Sequence, residues 1–275
     1  MYAFKYERPT TVKQAAALLA ANEEAKLLAG GHSLIPVMKQ RLASPTIIVD
    51  LSKVEGLTGI EVTPRTVTIK AMTRHRDVAN SKELLEVMPA LASVPDSIGD
   101  PHVRGAGTIG GSVANNDPNA DYPAACLGLG ATIVTNKRKI PADEYFQGMF
   151  TTALDPDEII VEITFPIARK AAYQKFKHPA SGFALVGVFV SKRSSEIRVA
   201  ATGAGSNGVF RIPEFEEALK KRFSPKSLEG ITLSPDDMNT DIHGSAEYRA
   251  HLVGVMARRA VATANERGGE GDDEE

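Results

Sequence analysis

Two short stretches carry residue types suited to holding an anion. GAGTIGGS, residues 105–112, contains G-x-G-x-x-G at Gly105, Gly107 and Gly110, and AGGHSL occupies residues 29–34. Glycine has no Cβ, so its backbone N–H groups can approach an anion closely, and consecutive N–H groups form an anion-binding nest. In TIGGS, Gly110 and Gly111 stand between the hydroxyls of Thr108 and Ser112. In AGGHSL, Ala29, Gly30 and Gly31 precede His32 and Ser33 at the mouth of an expected helix, whose N-terminus adds partial positive charge. Either stretch alone reads equally well as an ordinary tight turn. Together they suit the two phosphates of a dinucleotide.

The G-x-G-x-x-G spelling is not a Rossmann fingerprint. That motif needs a buried strand immediately before the glycines and a long helix immediately after. Here PDSIGDPHVR precedes Gly105, with two prolines and three charged groups, and SVANNDPNADYP follows, where Asn, Asp and Pro break any long helix. No strand ending in an acid follows at the distance needed to hold a ribose.

Other chemistry finds little support. The six histidines, His32 and His102 among them, are scattered, with no H-x-x-H and no carboxylate pairing at ligand spacing. There is no G-x-S-x-G elbow. The single cysteine, Cys126, lies in the apolar run AACLGLGATIV and reads as a buried thiol. One cysteine can form no internal disulfide and cannot supply the four ligands an iron–sulfur cluster normally takes. A net charge of -2 argues against nucleic acid. No apolar run approaches the roughly 20 residues of a membrane span. The opening MYAFKYERPTTVKQ lacks a signal-peptide core, so a cytoplasmic address is expected.

The elements that must position the two glycine stretches follow from periodicity. PTTVKQAAALLAAN reads as a helix, with Thr11 and Gln14 at capping-box spacing and Val12, Ala15, Ala16 and Leu19 on one face. KLLAGG is a short strand ending in glycines, LIPVMKQRL a helix after Ser33, TIIVDL a buried strand and TVTIKAM a strand with one wet face. Residues 73–98 are mostly helical, interrupted at Pro89 and Pro95. After the second glycine stretch come a loop, the small-residue run AACLGLG, and strands in ATIVT and DEIIVEITFP. Strands in YQKFKHPASGFALVGVFVSKR and EIRVAATGAG precede helices around EFEEALKKRF and from Ser245 to about Asn265. The polar, acidic tail GGEGDDEE is expected to be disordered. The fold class is α+β, with a glycine-rich ligand-binding region to about residue 167 and a strand-then-helix domain beyond it.

In this order and separation the two loops resemble the FAD-binding medium subunit of the molybdenum hydroxylase family, which includes xanthine dehydrogenase and aerobic carbon monoxide dehydrogenase. The resemblance covers nearly the whole chain: AGGHSLIPVMK, IIVDL, the VR-x-x-GTIGGS-x-A block with NNDPNADYPA, LDPDEII, FKHPASGFALVG and DIHGSAEYRAHLVGVMARRA. It implies a vanillyl-alcohol-oxidase-like FAD-binding fold of two α/β subdomains, at residues 1–55 and 56–167. A C-terminal flavoprotein domain would span 168–267, with a three-stranded antiparallel sheet and helices, and the tail would occupy 268–275. It also implies that Ala29, Gly30, Gly31, His32, Ser33 and Leu34 form a first pyrophosphate loop and Thr108, Ile109, Gly110, Gly111 and Ser112 a second. Asp121 matches an acid that hydrogen-bonds the cofactor, and Leu154 and Lys177 match residues near the flavin ring. An apolar wall from Leu154 and Ile109 would suit a flat ring, and a cation such as Lys177 would stabilise reduced flavin. Lys177 reads equally well as a solvated strand-end lysine. The chain departs from several relatives at Gly182–Phe183, where they carry Asp-Tyr. It departs also at His32, where many have glutamine, and at Ser112, where others have asparagine or aspartate.

The resemblance further implies an electron-transfer flavoprotein subunit. A small iron–sulfur subunit with two [2Fe–2S] clusters would pass it electrons from a large subunit carrying the molybdenum cofactor. The chain would hand them to an external acceptor, and the assembly would be a dimer of heterotrimers. The lone cysteine fits that division, since the chain has no ligands for its own relay. Carbon monoxide dehydrogenase is the branch favoured by overall likeness. A freestanding FAD-dependent oxidase or dehydrogenase of the same fold, and a non-catalytic nucleotide-binding assembly module, remain as alternatives.

Overall fold

The first glycine stretch leaves the C-terminal end of a parallel strand. In the computed structural model, which describes residues 1–268, the N-terminal sheet has the order Lys5–Glu7, Ile47–Asp50, Ala25–Leu28, with both pairings parallel. The helix Val12–Ala20 crosses between its strands, with Thr11 Oγ1 accepting the Gln14 N–H and Gln14 Oε1 accepting in return from the Thr10 N–H. Ala15 and Leu19 bury against Ala25, Val49 and Leu51. The helix Leu34–Lys39 follows the glycines. The three-residue strand Lys5–Glu7 is too short and too exposed to leave an alternation in the sequence.

The second glycine stretch sits on a five-stranded antiparallel sheet, ordered Ile60–Val62, Thr66–Lys70, Ile160–Pro166, Thr132–Thr135, Lys139–Pro141. Its core includes Val67, Ile69, Ile133, Ile163 and Phe165, covered by helices from residues 75–129. Pro89 opens the helix Pro89–Asp96 at its first position, where a missing N–H costs nothing. Pro95 does not interrupt the chain as expected but is accommodated in the last turn of that helix. The small-residue run is the wholly buried helix Tyr122–Leu129, which ends on Gly130 in the left-handed region. Before Gly107 stands the helix Pro101–Ala106, and after Thr108 the helix Ile109–Asn115. The G-x-G-x-x-G residues therefore join two short helices, without the preceding strand of a Rossmann turn.

The C-terminal sheet is antiparallel and has four strands rather than three: Lys170–Lys177, Ala184–Arg193, Glu196–Thr202 and the two-residue Phe210–Arg211. Ala184–Arg193 is buried on both faces. Val186, Val188 and Val190 face the helices Pro213–Lys221 and Ala246–Gly268, while Phe189 faces the helix Tyr122–Leu129. Phe189 lies against Gly128, where a Cβ would sit 2.7 Å from its ring. This packing seats the C-terminal sheet on the ligand-binding half. The acidic tail beyond Gly268 lies outside the described residues. Among the described residues no helix is long and apolar enough to cross a membrane.

Candidate functional site

A cleft of about 720 Å³ opens between the two glycine stretches, within the size range of small-molecule and cofactor pockets. All the expected contact residues line it except Ile109 and Lys177. The two loops meet backbone to backbone. A Cβ on Gly30 would lie 2.3 Å from the Ala106 carbonyl oxygen and 2.6 Å from Gly107 Cα. Gly31 takes a φ of +75°, which L side chains rarely adopt. A Cβ on Gly110 would strike Ala71 at 2.6 Å, so this glycine lets its helix close onto the strand Thr66–Lys70. Gly111 differs: its notional Cβ meets only Thr108 Oγ1 at 3.0 Å and Ala29 at 3.6 Å, on the side where the loops face each other.

The N–H groups of the two loops are not equivalent. Among the described residues, those of Gly30, Gly31, His32 and Ser33 have no acceptor in the protein. Gly30 and Gly31 are half-buried and His32 and Ser33 exposed, all on the cleft lining, so this run is open to a ligand. In the second loop, Ile109 and Gly110 donate to the Thr73 and Ala71 carbonyls, Gly111 to Thr108 Oγ1 and Ser112 to the Thr108 carbonyl. The expectation of two N–H nests is therefore corrected to one. The second loop contributes a bare glycine surface at a helix N-terminus. Ser33 does not cap its own helix by a side-chain bond, which leaves its hydroxyl at the cleft.

The walls are fixed by one buried and one partly exposed ion pair. Asp121 lies at the back of the cleft, where Tyr173 donates to Oδ1 at 2.5 Å and Lys175 Nζ to Oδ2 at 2.9 Å. Burial pushes the Asp121 carboxyl above its ordinary value, and Lys175 and Tyr173 pull it back. Leu154 is carried on a loop tied down by Glu158. That carboxylate accepts from Arg138, from Thr135 at 2.6 Å and from the Asp155 N–H at 2.9 Å, while Arg138 also donates to the Ala153 carbonyl. Hydrogen bonds from Arg138, more than offsetting burial, hold the Glu158 carboxyl down at about 2.

Two of the expected residues lie outside the cleft lining. Ile109 is fully buried in the hydrophobic core, so its side chain cannot form a wall of the cleft. Lys177 is exposed and does not line the cleft; Lys175 does. The two would share a strand face by simple alternation, but a register shift between Phe176 and Lys177 breaks it. Cys126 is fully buried, and burial drives its thiol far above its ordinary range, so it is no nucleophile. Gly182 has a φ of +70° and packs on Gly99, which leaves no comfortable place for an aspartate there, and Phe183 stands 54% exposed at the cleft mouth. The sequence reading missed Lys175, Glu158, Phe150 and His75, all of which line the cleft. Only Lys175, two residues from Lys177 on the same strand, left a usable signal.

Family models match the chain in two consecutive segments. Residues 2–168 match the FAD binding domain in molybdopterin dehydrogenase, and residues 171–264 the CO dehydrogenase flavoprotein C-terminal domain. The chain belongs to this family. It is thus a flavoprotein component of the molybdenum-containing dehydrogenases, an oxidoreductase family whose cofactor on this chain type is FAD. The carbon monoxide dehydrogenase medium chain of Afipia carboxidovorans is 36% identical, over 96% of this chain and 97% of its own. The nicotine 6-hydroxylase medium subunit of Paenarthrobacter nicotinovorans is 34% identical, over 96% and 98%. Among solved structures, a carbon monoxide dehydrogenase of Hydrogenophaga pseudoflava superposes with a TM-score of 0.84 at 34% identity, covering 97% of this chain and 98% of that one.

The residues present fit FAD. The unpaired N–H run at Gly30–Ser33 suits a diphosphate, and the space beside Gly111 is one a side chain would fill. The apolar lining from Leu27, Leu154, Ile160 and Phe183 suits flat rings.

Proposed function

We propose that this chain is the FAD-carrying electron-transfer subunit of a heterotrimeric molybdenum hydroxylase. Its partners are a small subunit with two [2Fe–2S] clusters and a large subunit with the molybdenum cofactor, paired as a dimer of heterotrimers in the cytoplasm. Within the family we lean to the medium subunit of carbon monoxide dehydrogenase. We read the fold as vanillyl-alcohol-oxidase-like, with FAD-binding subdomains at 1–55 and 56–167 and a C-terminal flavoprotein domain at 168–267.

The observation that carries this reading is the run of four unpaired N–H groups in AGGHS, held against the second glycine loop by the Gly30–Gly107 contact. Bound FAD supplies a centre that takes up electrons singly or in pairs. The chain's own residues bind and orient it. Gly30, Gly31, His32 and Ser33 receive the diphosphate, and Thr108, Gly110, Gly111 and Ser112 close on it from the other side. Asp121 is held in place by Lys175 and Tyr173 to accept from a cofactor hydroxyl or amide. Leu154, fixed through Glu158 and Arg138, walls the ring, and Phe183 covers the mouth. The lysine at the flavin is Lys175 in this reading, with Lys177 outside.

Metal and flavin analysis of the complex isolated from its native source tests the assignment. One FAD, about four irons and one molybdenum per copy are expected, as two [2Fe–2S] clusters and one molybdenum cofactor require. FAD without metals would move the reading to a freestanding flavoprotein.

A further inference from the structure

One polar side chain at the cleft has no partner in the protein. His75 opens the helix His75–Ala79 and lines the cleft, yet it is 4% exposed. Its backbone N–H donates to the Gly107 carbonyl at 3.0 Å, which locks it beneath the second glycine stretch. Nδ1 is sealed from solvent without a hydrogen bond, and among the described residues Nε2 has none either. The Tyr122 ring packs on the imidazole at a centroid distance of 5.4 Å. Nε2 lies under Gly107, where a Cβ would stand 2.7 Å from it. Gly107 thus packs directly on the imidazole, and Nε2, unlike Nδ1, is not sealed from the cleft that His75 lines.

Burying an imidazole with both nitrogens idle is costly, and such groups in native proteins usually have a partner. Burial, with a smaller contribution from nearby His32, lowers the His75 pKa to about 4. The ring is therefore neutral at physiological pH and carries one N–H. With Nδ1 sealed and Nε2 at the cleft, the tautomer that meets a ligand has its proton on Nε2.

We propose that His75 is a further cofactor-contacting residue, donating from Nε2 to a phosphate oxygen of the bound dinucleotide at the edge of Gly107. The inference rests on the FAD cradle proposed above. It adds a donor beside the second loop, where the N–H groups of Ile109, Gly110, Gly111 and Ser112 are engaged within the protein.

FAD titration of the full-length apo chain, followed by flavin fluorescence, tests it in the wild type, His75→Leu and His75→Gln. The leucine variant should bind FAD about tenfold or more weakly, as for a lost hydrogen bond to a charged group. The glutamine variant, whose amide Nε2 stands near the imidazole Nε2, should stay within about threefold of wild type. The ¹⁵Nε2 resonance of His75, assigned by its loss in His75→Gln, should move when FAD is added to the wild type. Unchanged affinity in a folded His75→Leu, or a resonance indifferent to bound FAD, overturns the proposal. If the leucine variant fails to fold, the wild-type resonance decides alone. A wild-type chain that binds no FAD overturns the cofactor site as well, which separates the two failures.

Discussion

Lys175 and Asp121 form an ion pair almost sealed from solvent at the back of the cleft, with Nζ 2.9 Å from Oδ2 and side chains 3% and 4% exposed. Lys175 also donates to the Ser97 carbonyl, and Tyr173 donates to the second carboxylate oxygen. The pair therefore ties the C-terminal sheet to both the end of the helix Pro89–Asp96 and the start of the helix Tyr122–Leu129. Removing one partner from a buried pair leaves an uncompensated charge. Lys175→Met should cost about 3–5 kcal/mol in urea unfolding. Adding Asp121→Asn should recover part of that loss, so the double variant is more stable than additivity allows. Additive losses would mean that the two residues do not interact as described.

Glu158 makes stability depend on acid pH. Its carboxyl is held at about 2, below the ordinary 4.5, chiefly by Arg138. A carboxyl depressed in the folded state stabilises fully above its unfolded value, and that contribution fades as pH falls toward the folded value. Thermal unfolding of the apo chain should therefore lose stability between about pH 4.5 and pH 2. Glu158→Gln should flatten that part of the profile while lowering stability near neutral pH. Parallel profiles for the two proteins would remove Glu158 from the account.

Gly30 and His32 are neighbours in one loop with opposite sensitivities. Gly30→Ala places a methyl 2.3 Å from the Ala106 carbonyl oxygen, and overpacking of this kind costs about 1–3 kcal/mol. A lower melting temperature and a weakened FAD complex should appear together, because the two loops are forced apart. His32 is exposed. His32→Ala should leave stability within about 0.5 kcal/mol and reduce FAD affinity only mildly. Complete cofactor loss in His32→Ala would give the imidazole a direct role.

The two glycine stretches were legible because their chemistry is local: paired glycines, hydroxyls and a following helix all lie within a few residues. Which N–H groups are free was not, since the partners of Ile109 and Gly110 are Thr73 and Ala71, far off in the chain. Gly30 and Gly110 were legible as loop glycines, but the packing each also serves, on Ala106 and on Ala71, was not. Lys177 came from the likeness of FKHPASGFALVG to the family, whereas the place of Lys175 on the cleft depends on packing and on a register shift set by the neighbouring strand. His75 left no pattern at all, for its meaning depends on Gly107 lying over it. The layout of strands and helices was largely readable from periodicity. The two- and three-residue edge strands Phe210–Arg211 and Lys5–Glu7 were too short to show one.

The most direct test of the cradle is the FAD content of the wild-type chain against that of Gly111→Val. Gly111 is the loop glycine whose missing side chain faces the other loop rather than packed backbone. The account predicts that the variant folds, with the circular dichroism spectrum of the apo wild type, but retains no FAD, because the valine occupies the space where phosphate approaches. A folded Gly111→Val that carries one FAD per chain would contradict it.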